Sequence, residues 1–205
     1  PGIFIPWLEM EPCFFELGNW IIEQALTDGM EVHKIRPDFV VNVNISATQL
    51  ENHGFRQAVV DILKKTKFPP EYLCIELTER CKNMDIAFLK NELEYFRKLG
   101  IKIAIDDFGT GNATLNLLTE LPIDELKVDM SFVRGIQESK PNQVLVQAVV
   151  SCAHQLGYKS CIEGVEDKAL FDYLHRYGST YYQGYHFSRP VWRILRSFCD
   201  RRPAW

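Results

Sequence analysis

Six short apolar runs, each followed by a longer segment with helical periodicity, constrain the fold of this chain more than any other feature. The runs are rich in β-branched and apolar residues, which is typical of buried strands. Strands that alternate with helices are predicted to lie parallel in one sheet, because each helix carries the chain back to the same edge. The runs cover residues 39–43, 73–77, 101–105, 126–129, 161–162 and 181–182.

A polar residue stands at or just past the end of every run. Parallel strands in βα units all end at one rim, and in βα barrels this rim carries the active site. Carboxylates, two amides and a lysine that converge there favour metal-assisted chemistry. The residues concerned are Asn44, Glu76, Asp106, Asp107, Lys127, Asp129, Glu163 and Gln183.

The spacing of these residues predicts one continuous (β/α)8 barrel of the TIM type. From Asn44 to Gln183 the successive steps are 32, 30, 21, 36 and 20 residues, mostly near the roughly 30 residues of a strand, a crossover and the next strand. The chain has 205 residues and six recognisable strands, whereas eight units typically need about 250 residues. We therefore expect residues 1–205 to form a single domain that lacks the first two strands. The start at Pro1 leads us to expect a piece of a longer protein.

Charge, hydropathy and cysteine patterns exclude several classes of protein. The formal net charge is −4 and both signs are mixed along the chain, which gives no electrostatic footprint for polymeric DNA or RNA. The chain has no run of 18 apolar residues and no signal peptide, so we expect a cytosolic domain, while a membrane anchor elsewhere in a longer protein stays open. The six cysteines form no C-x-x-C pair, which favours reduced thiols over disulfides or a zinc site.

Glycine and proline mark the ends of the predicted helices. A helix over residues 14–27 is expected to stop at Gly29, and a helix over 48–65 is expected to end before Phe68 and the two prolines that follow it. A final helix is predicted over residues 191–199. Three more helices are each followed by a glycine, which is typical of a left-handed cap. These helices cover residues 86–99, 142–156 and 168–177.

The segment D-D-F-G-T-G at residues 106–111 carries most of the chemical signal. Two adjacent carboxylates at a strand end repel each other unless a cation neutralises them, which makes Asp106 and Asp107 suitable ligands for paired hard metal ions. Gly109 and Gly111 allow the backbone to turn sharply beside them. Asp-Phe-Gly also occurs in protein kinases, but neither an H-R-D-type catalytic loop nor a G-x-G-x-x-G loop accompanies it, which disfavours a kinase.

The ordered motifs of the chain resemble those of EAL-domain cyclic diguanylate phosphodiesterases. The resemblance runs from about Ile3 to Val191 in the order of the family. It implies hydrolysis of one phosphodiester of cyclic di-GMP, a bacterial second messenger, to linear pGpG with Mg²⁺ or Mn²⁺. The motifs are V-N-I-S at 43–46, E-L-T-E at 76–79, D-D-F-G-T-G at 106–111, L-K-V-D at 126–129, E-G-V-E at 163–166, Q-G-Y at 183–185 and F-S-R-P at 187–190.

The resemblance also implies a set of metal ligands. Asn44, Glu76 and Asp106 would bind one metal. Asp106, Asp107 and Glu163 would hold the second metal and its bridging water. Two such cations can clamp the attacking and leaving oxygens of an in-line displacement.

Other residues would, by the same resemblance, act on the water, the substrate or the loops. Lys127, Glu163 and Asp107 would be the catalytic residues. Lys127 would orient or help deprotonate the water and offset charge on the phosphate, Glu163 would share the role of base, and Asp107 would help to hold the water. Gln183 would contact the substrate near the barrel mouth, with Asp129 as a further substrate-binding residue. The residues that would support the loops are Glu79, Glu166, Gly109 and Gly111.

Two features depart from the family pattern. The Glu-Ala-Leu motif, which supplies a further metal-binding glutamate on the second barrel strand, would precede Ile3 and is absent from this chain. Gly111 is followed by Asn-Ala-Thr where the family commonly has Tyr-Ser-Ser. That loop is tied to dimerisation and metal positioning in the family.

Simpler interpretations of several residues stay open. Asp129 and Glu166 could be rim acids that bond backbone amides, and Asn44 could be a turn or capping residue before Ser46. The five histidines show no metal-binding spacing, which favours structural roles for them.

The favoured function is therefore a cyclic di-GMP phosphodiesterase. A catalytically inactive cyclic di-GMP receptor or interaction module on the same fold is the alternative, and the residue at the absent glutamate position would discriminate between the two. A barrel enzyme that acts on a different phosphate ester is a third interpretation. The resemblance also implies a homodimer with upstream sensory or regulatory domains in the full-length protein.

Overall fold

The computed structural model of the chain describes residues 4–78, 81, 84–110 and 116–190. Several predictions fall outside these residues: the supporting roles of Glu79 and Gly111, the loop at 112–114 and the final helix over 191–199. Within the described ranges no helix combines the length and the apolar character that a membrane crossing requires.

Six parallel strands form one sheet, in the order in which they occur along the chain. This sequential order is that of a (β/α)8 barrel, and the predicted α/β fold class is confirmed. β1 and β6, the first and last strands, each have one hydrogen-bonded neighbour among the described strands. The strands are β1 (Val41–Ile45), β2 (Leu73–Leu77), β3 (Lys102–Phe108), β4 (Glu125–Val128), β5 (Lys159–Ile162) and β6 (Tyr181–Tyr182).

Helices connect the strands and cover one face of the sheet. Two short 3₁₀ turns, Pro70–Tyr72 and His175–Tyr177, precede β2 and β6. The described α-helices are α1 (Ile5–Leu8), α2 (Phe14–His33), α3 (Ala47–Leu50), α4 (Phe55–Thr66), α5 (Ile86–Lys98), α6 (Asn116–Glu120), α7 (Met130–Val133), α8 (Lys140–Gln155) and α9 (Lys168–Leu174).

The alternation along β1 shows how the sheet separates its two faces. Val41, Val43 and Ile45 are buried in the main apolar core, whereas Asn42 and Asn44 point the other way and are exposed. Successive side chains of a strand lie on opposite faces of the sheet. The core therefore forms between the sheet and its helices, and the polar rim residues fall on the inner face.

The predicted stop at Gly29 is wrong, since α2 continues to His33. Gly29 is buried inside the helix, and a Cβ atom built on it would meet the Val41 side chain and lie 3.3 Å from the Phe68 ring. The glycine therefore lets α2 approach β1 closely and does not end the helix. Glycine serves both purposes, and its occurrence in a sequence does not distinguish them.

The single helix predicted over residues 48–65 is also wrong, because the segment forms two helices, α3 and α4. Ser46 caps α3, and its hydroxyl accepts the Gln49 amide at 3.3 Å in a capping box. The Asn52 side chain then accepts the Gly54 amide at 2.9 Å and turns the chain before α4. Ser46, and not Asn44, is thus the capping residue.

The helices predicted to end at a glycine are confirmed. α5, α8 and the 3₁₀ turn after α9 are followed by Gly100, Gly157 and Gly178, with φ of 93°, 78° and 68°. These angles lie in the left-handed region that favours glycine.

The described cysteines are free thiols, as predicted. Cys74 and Cys161 lie buried in β2 and β5, and burial raises the pKa of both thiols. Each therefore stays protonated and packs as a small apolar side chain.

Candidate active site

Strand β3 brings two carboxylates to the rim through an irregularity in its pairing with β4. The pairing is regular up to Ile105 and resumes at Phe108. Over this interval β3 has two residues and β4 has one, so Asp106 and Asp107 lie opposite Lys127. A bulge of this kind bends a strand and changes the direction of its side chains. Asp107 adopts φ 49°, a left-handed conformation in which Asn and Asp are enriched among non-glycine residues.

Lys127 lies at the centre of a carboxylate cluster and is 3 % exposed. Burial alone would lower the pKa of this lysine, but the charges of the neighbouring carboxylates outweigh burial and raise the pKa. Lys127 is therefore a charged ammonium in a nearly dry site. Its Nζ atom lies 2.9 Å from Glu76 Oε1, 3.0 Å from Asp106 Oδ1 and 2.7 Å from Glu163 Oε1.

Glu76 has a second partner that was not among the predicted site residues. Glu76 is 4 % exposed in β2, and its Oε1 accepts a hydrogen bond from Asn42 Nδ2 at 2.8 Å. Asn42 precedes Asn44 by two positions and so shares its face of β1. Strand alternation was the signal that could have found Asn42.

Three neighbouring carboxylates of the cluster fit a hard divalent cation. Ligand oxygens of Asp106, Asp107 and Glu163 lie within 4.8 Å of one another. Asp106 Oδ1 is buried and accepts no well-aligned hydrogen bond from the described residues, since its contact with Lys127 is an ion pair only. Together with Glu76, these side chains place four carboxylates beside one ammonium. A divalent cation with a preference for oxygen ligands would offset the excess negative charge.

Asp107 shares a side-chain hydrogen bond with Asp129. Burial, the charge of Asp106 and this hydrogen bond raise the pKa of Asp107 to about 6. Burial would also raise the pKa of Asp129, but hydrogen bonds, first of all those from Ser131, lower it. Asp129 accepts the Ser131 amide at 2.9 Å and caps α7. It therefore bonds a backbone amide, and its role in substrate binding stays a prediction.

The raised pKa of Asp107 predicts a pH dependence of stability in the metal-free protein. The pKa of Asp107 is higher in the folded than in the unfolded protein, so protonation of Asp107 stabilises the fold. This contribution is fully present below the unfolded pKa and is lost as the pH rises through the folded value, about 6. We expect the urea concentration at the midpoint of unfolding, measured with chelator, to fall between about pH 4 and about pH 7. The fall should be steeper in the parent than in Asp107→Asn. Asparagine tolerates the left-handed backbone, so this variant removes the charge and keeps the conformation. Parallel profiles for the two proteins would contradict the assignment.

Other predicted site residues have fewer contacts with the cluster. Asn44 lies opposite Glu76 in the register of β1 and β2 and is exposed. Gln183 follows β6 and is exposed, as is Glu166. Gly109 adopts φ 101° beneath the Phe132 ring, which leaves no room for a side chain. Within the described ranges the structure thus brings Asn44 next to the cluster and does not bring Gln183 or Glu166 into contact with it.

A cavity of about 1200 Å³ opens on the inner side of the sheet. Its wall includes Asn42 and Gln183. It also includes Lys102 and Lys159, the first residues of β3 and β5, at the end of the sheet away from the carboxylate rim. The carboxylates that contact Lys127 do not line it. The cavity therefore marks the interior between β1 and β6, whereas the chemical groups converge at the rim.

Comparisons with known proteins agree with this geometry. The family described as the EAL domain matches residues 1–190. Signaling protein YkoW of Bacillus subtilis is 36 % identical over 191 residues, which are 93 % of this chain and 24 % of that protein. Cyclic di-GMP phosphodiesterase PA2567 of Pseudomonas aeruginosa is 31 % identical over 93 % of this chain and 32 % of its own length. The chain thus spans about a third or less of these curated relatives.

Solved structures share the fold over most of the chain. EAL enzyme Bd1971, in a form bound to cAMP and cyclic di-GMP, matches with a TM-score of 0.91 at 33 % identity, over 98 % of this chain and 55 % of its own. BlrP1 of Klebsiella pneumoniae, in a complex with manganese and cyclic di-GMP, matches with a TM-score of 0.80 at 28 % identity. That match covers 87 % of this chain and 45 % of BlrP1.

Proposed function

The chain belongs to the EAL domain family, and from this membership we propose that it hydrolyses one phosphodiester bond of cyclic di-GMP to release linear pGpG, with Mg²⁺ or Mn²⁺ as cofactor. The observation that carries the proposal is the set of four carboxylates beside Lys127 at the C-terminal rim of the strands. This rim is the active-site face of barrel enzymes. Among the relatives, PA2567 is named as a cyclic di-GMP phosphodiesterase, and BlrP1 forms a complex with manganese and cyclic di-GMP.

Two metal positions follow from the proposal. Asn44, Glu76 and Asp106 would hold one cation, and Asp106, Asp107 and Glu163 would hold the other. When bound, the cations would lower the pKa of a water molecule and offset charge on the phosphate. We propose that a further glutamate, from a strand beside β1, completes the first set of ligands. The outer edge of β1 has no partner among the described strands.

The other tasks fall to side chains of this chain. The Lys127 ammonium would donate hydrogen bonds to the attacking water and to a phosphate oxygen, and its raised pKa keeps it charged in that role. A charged ammonium cannot itself accept a proton, which leaves Glu163 as the proposed base. Burial raises the pKa of Glu163, although Lys127 opposes the shift. A carboxylate with a raised pKa is a stronger base than one at the ordinary value. Gln183 would bind the substrate at the barrel mouth.

Assembly, domain organisation and location stay predictions. We propose that the chain acts in the cytosol as one EAL-type domain of a homodimer, with sensory or regulatory domains elsewhere in a longer protein. The share of the relatives that it spans, 24 % of YkoW and 32 % of PA2567, supports the multidomain arrangement.

The proposed reaction can be tested by separating cyclic di-GMP from pGpG after incubation with Mn²⁺ and a purified protein that includes the strand proposed to supply the further glutamate. We expect conversion that a chelator abolishes, and the surface variant Lys90→Ala should convert the substrate at the parent's rate. Tight binding of cyclic di-GMP without conversion would instead identify an inactive receptor. Conversion of another phosphate ester, with neither binding nor hydrolysis of cyclic di-GMP, would contradict both.

A further inference from the structure

Asn42 lies outside the residues assigned to metal or substrate, yet it contacts the carboxylate of Glu76. The pairing of β1 with β2 sets Asn44 opposite Glu76 and Asn42 opposite Cys74. Asn42 therefore lies two residues nearer the start of β1 than Asn44, on the same face of the sheet. From there its Nδ2 donates a hydrogen bond to Glu76 Oε1 at 2.8 Å.

The same oxygen of Glu76 is also bound by Lys127, whose Nζ lies 2.9 Å away. An amide and an ammonium thus approach Oε1 from β1 and from β4. A hydrogen bond and an ion pair on one oxygen fix the rotation of a carboxylate more firmly than either contact alone. Glu76 is 4 % exposed, so protein donors, and not bulk water, set the orientation of its carboxylate in the intact chain. The second oxygen, Oε2, is then held in a constant direction.

We propose that Asn42 is a positioning residue that holds Glu76 in the orientation in which it binds a metal ion. The inference rests on the proposed two-metal function. Groups that hydrogen-bond a metal ligand fix its direction, and their loss typically weakens metal affinity by about 10- to 100-fold. Lys127 remains on Oε1 when Asn42 is removed, so we place the effect at the lower end of this range.

The variant Asn42→Ala tests the proposal by isothermal titration of the purified, chelator-treated protein with Mn²⁺ in the absence of nucleotide. We expect the Mn²⁺ dissociation constant to rise about tenfold. At saturating Mn²⁺ the hydrolysis of cyclic di-GMP should return to within about threefold of the parent rate, because added metal compensates for a loosely held ligand. Asn91→Ala, on the exposed face of α5, is the matched control and should change neither quantity.

Each outcome decides the proposal. An unchanged dissociation constant in Asn42→Ala would overturn it. A low hydrolysis rate that saturating Mn²⁺ does not restore would also overturn it, because a general distortion of β1 would have that effect. Absence of Mn²⁺ binding by the parent would overturn the two-metal function itself and this inference with it. Metal binding by the parent, with equal binding by the variant, rejects the role of Asn42 alone.

Discussion

Replacing Lys127 with methionine is expected to lower the free energy of unfolding of the metal-free protein by about 3–5 kcal/mol, the usual cost of removing one partner from a buried ion pair. The ammonium contacts three carboxylate oxygens within 3.0 Å and is 3 % exposed. Methionine fills similar space and leaves those carboxylates to repel one another. Urea unfolding in the presence of chelator would measure the loss. Lys90→Met, at an exposed position of α5, is the matched control.

Metal ions should reverse most of this loss of stability. Cations bound by the carboxylates would supply the positive charge that Lys127→Met removes, so the difference between variant and parent should shrink in Mn²⁺. Turnover should nevertheless fall by about 10² or more, because the water and phosphate lose a positioned hydrogen-bond donor. A titration in which Lys127→Met has lost metal sites would show that the lysine supports the metals directly, contrary to the proposed role.

The second large effect is expected for Asp106→Asn. Asp106 is the one carboxylate assigned to both metals, and its buried Oδ1 has no well-aligned hydrogen bond among the described residues. The amide keeps the shape of the side chain but removes a charge from both metal positions. Hydrolysis should become undetectable, and calorimetric titration should show weaker Mn²⁺ binding.

A surface change of the same kind provides the control for Asp106→Asn. Asp172→Asn removes an exposed carboxylate that pairs with Lys168 on α9, and it should leave both activity and metal binding unchanged. If Asp106→Asn retained more than about a tenth of the parent activity, the bridging assignment would be wrong.

The sheet and most of the cluster could be predicted because they follow from periodicity. Each strand is a short apolar run, and parallel strands all end at one rim, so Glu76, Lys127 and Glu163 had to lie near one another. In the structure Lys127 lies 2.9 Å from Glu76 and 2.7 Å from Glu163, as that expectation requires. The bulge in β3 has no such signal, because a register shift depends on how two strands pair and not on either strand alone.

Residues with two competing roles mark the limit of prediction from the sequence. Gly29 fits a helix stop as well as it fits close packing, and only its contacts with β1 show which role it has. Asp129 fits a substrate-binding acid as well as a helix cap; the structure shows the cap, and substrate binding stays a prediction. Asn42 was accessible through alternation, but its importance depends on the side-chain contact with Glu76.

The bulge in β3 carries two of the proposed metal ligands, but the fold of the sheet does not depend on it. Two residues of β3 stand opposite one of β4, so deletion of a single residue at 106–107 would restore an ordinary ladder while removing a ligand. One residue would then separate the apolar pairs Ile105–Leu126 and Phe108–Val128 in each strand, so both pairs would keep their face of the sheet. Under the proposed function, the loss of one codon would therefore end hydrolysis and keep the fold.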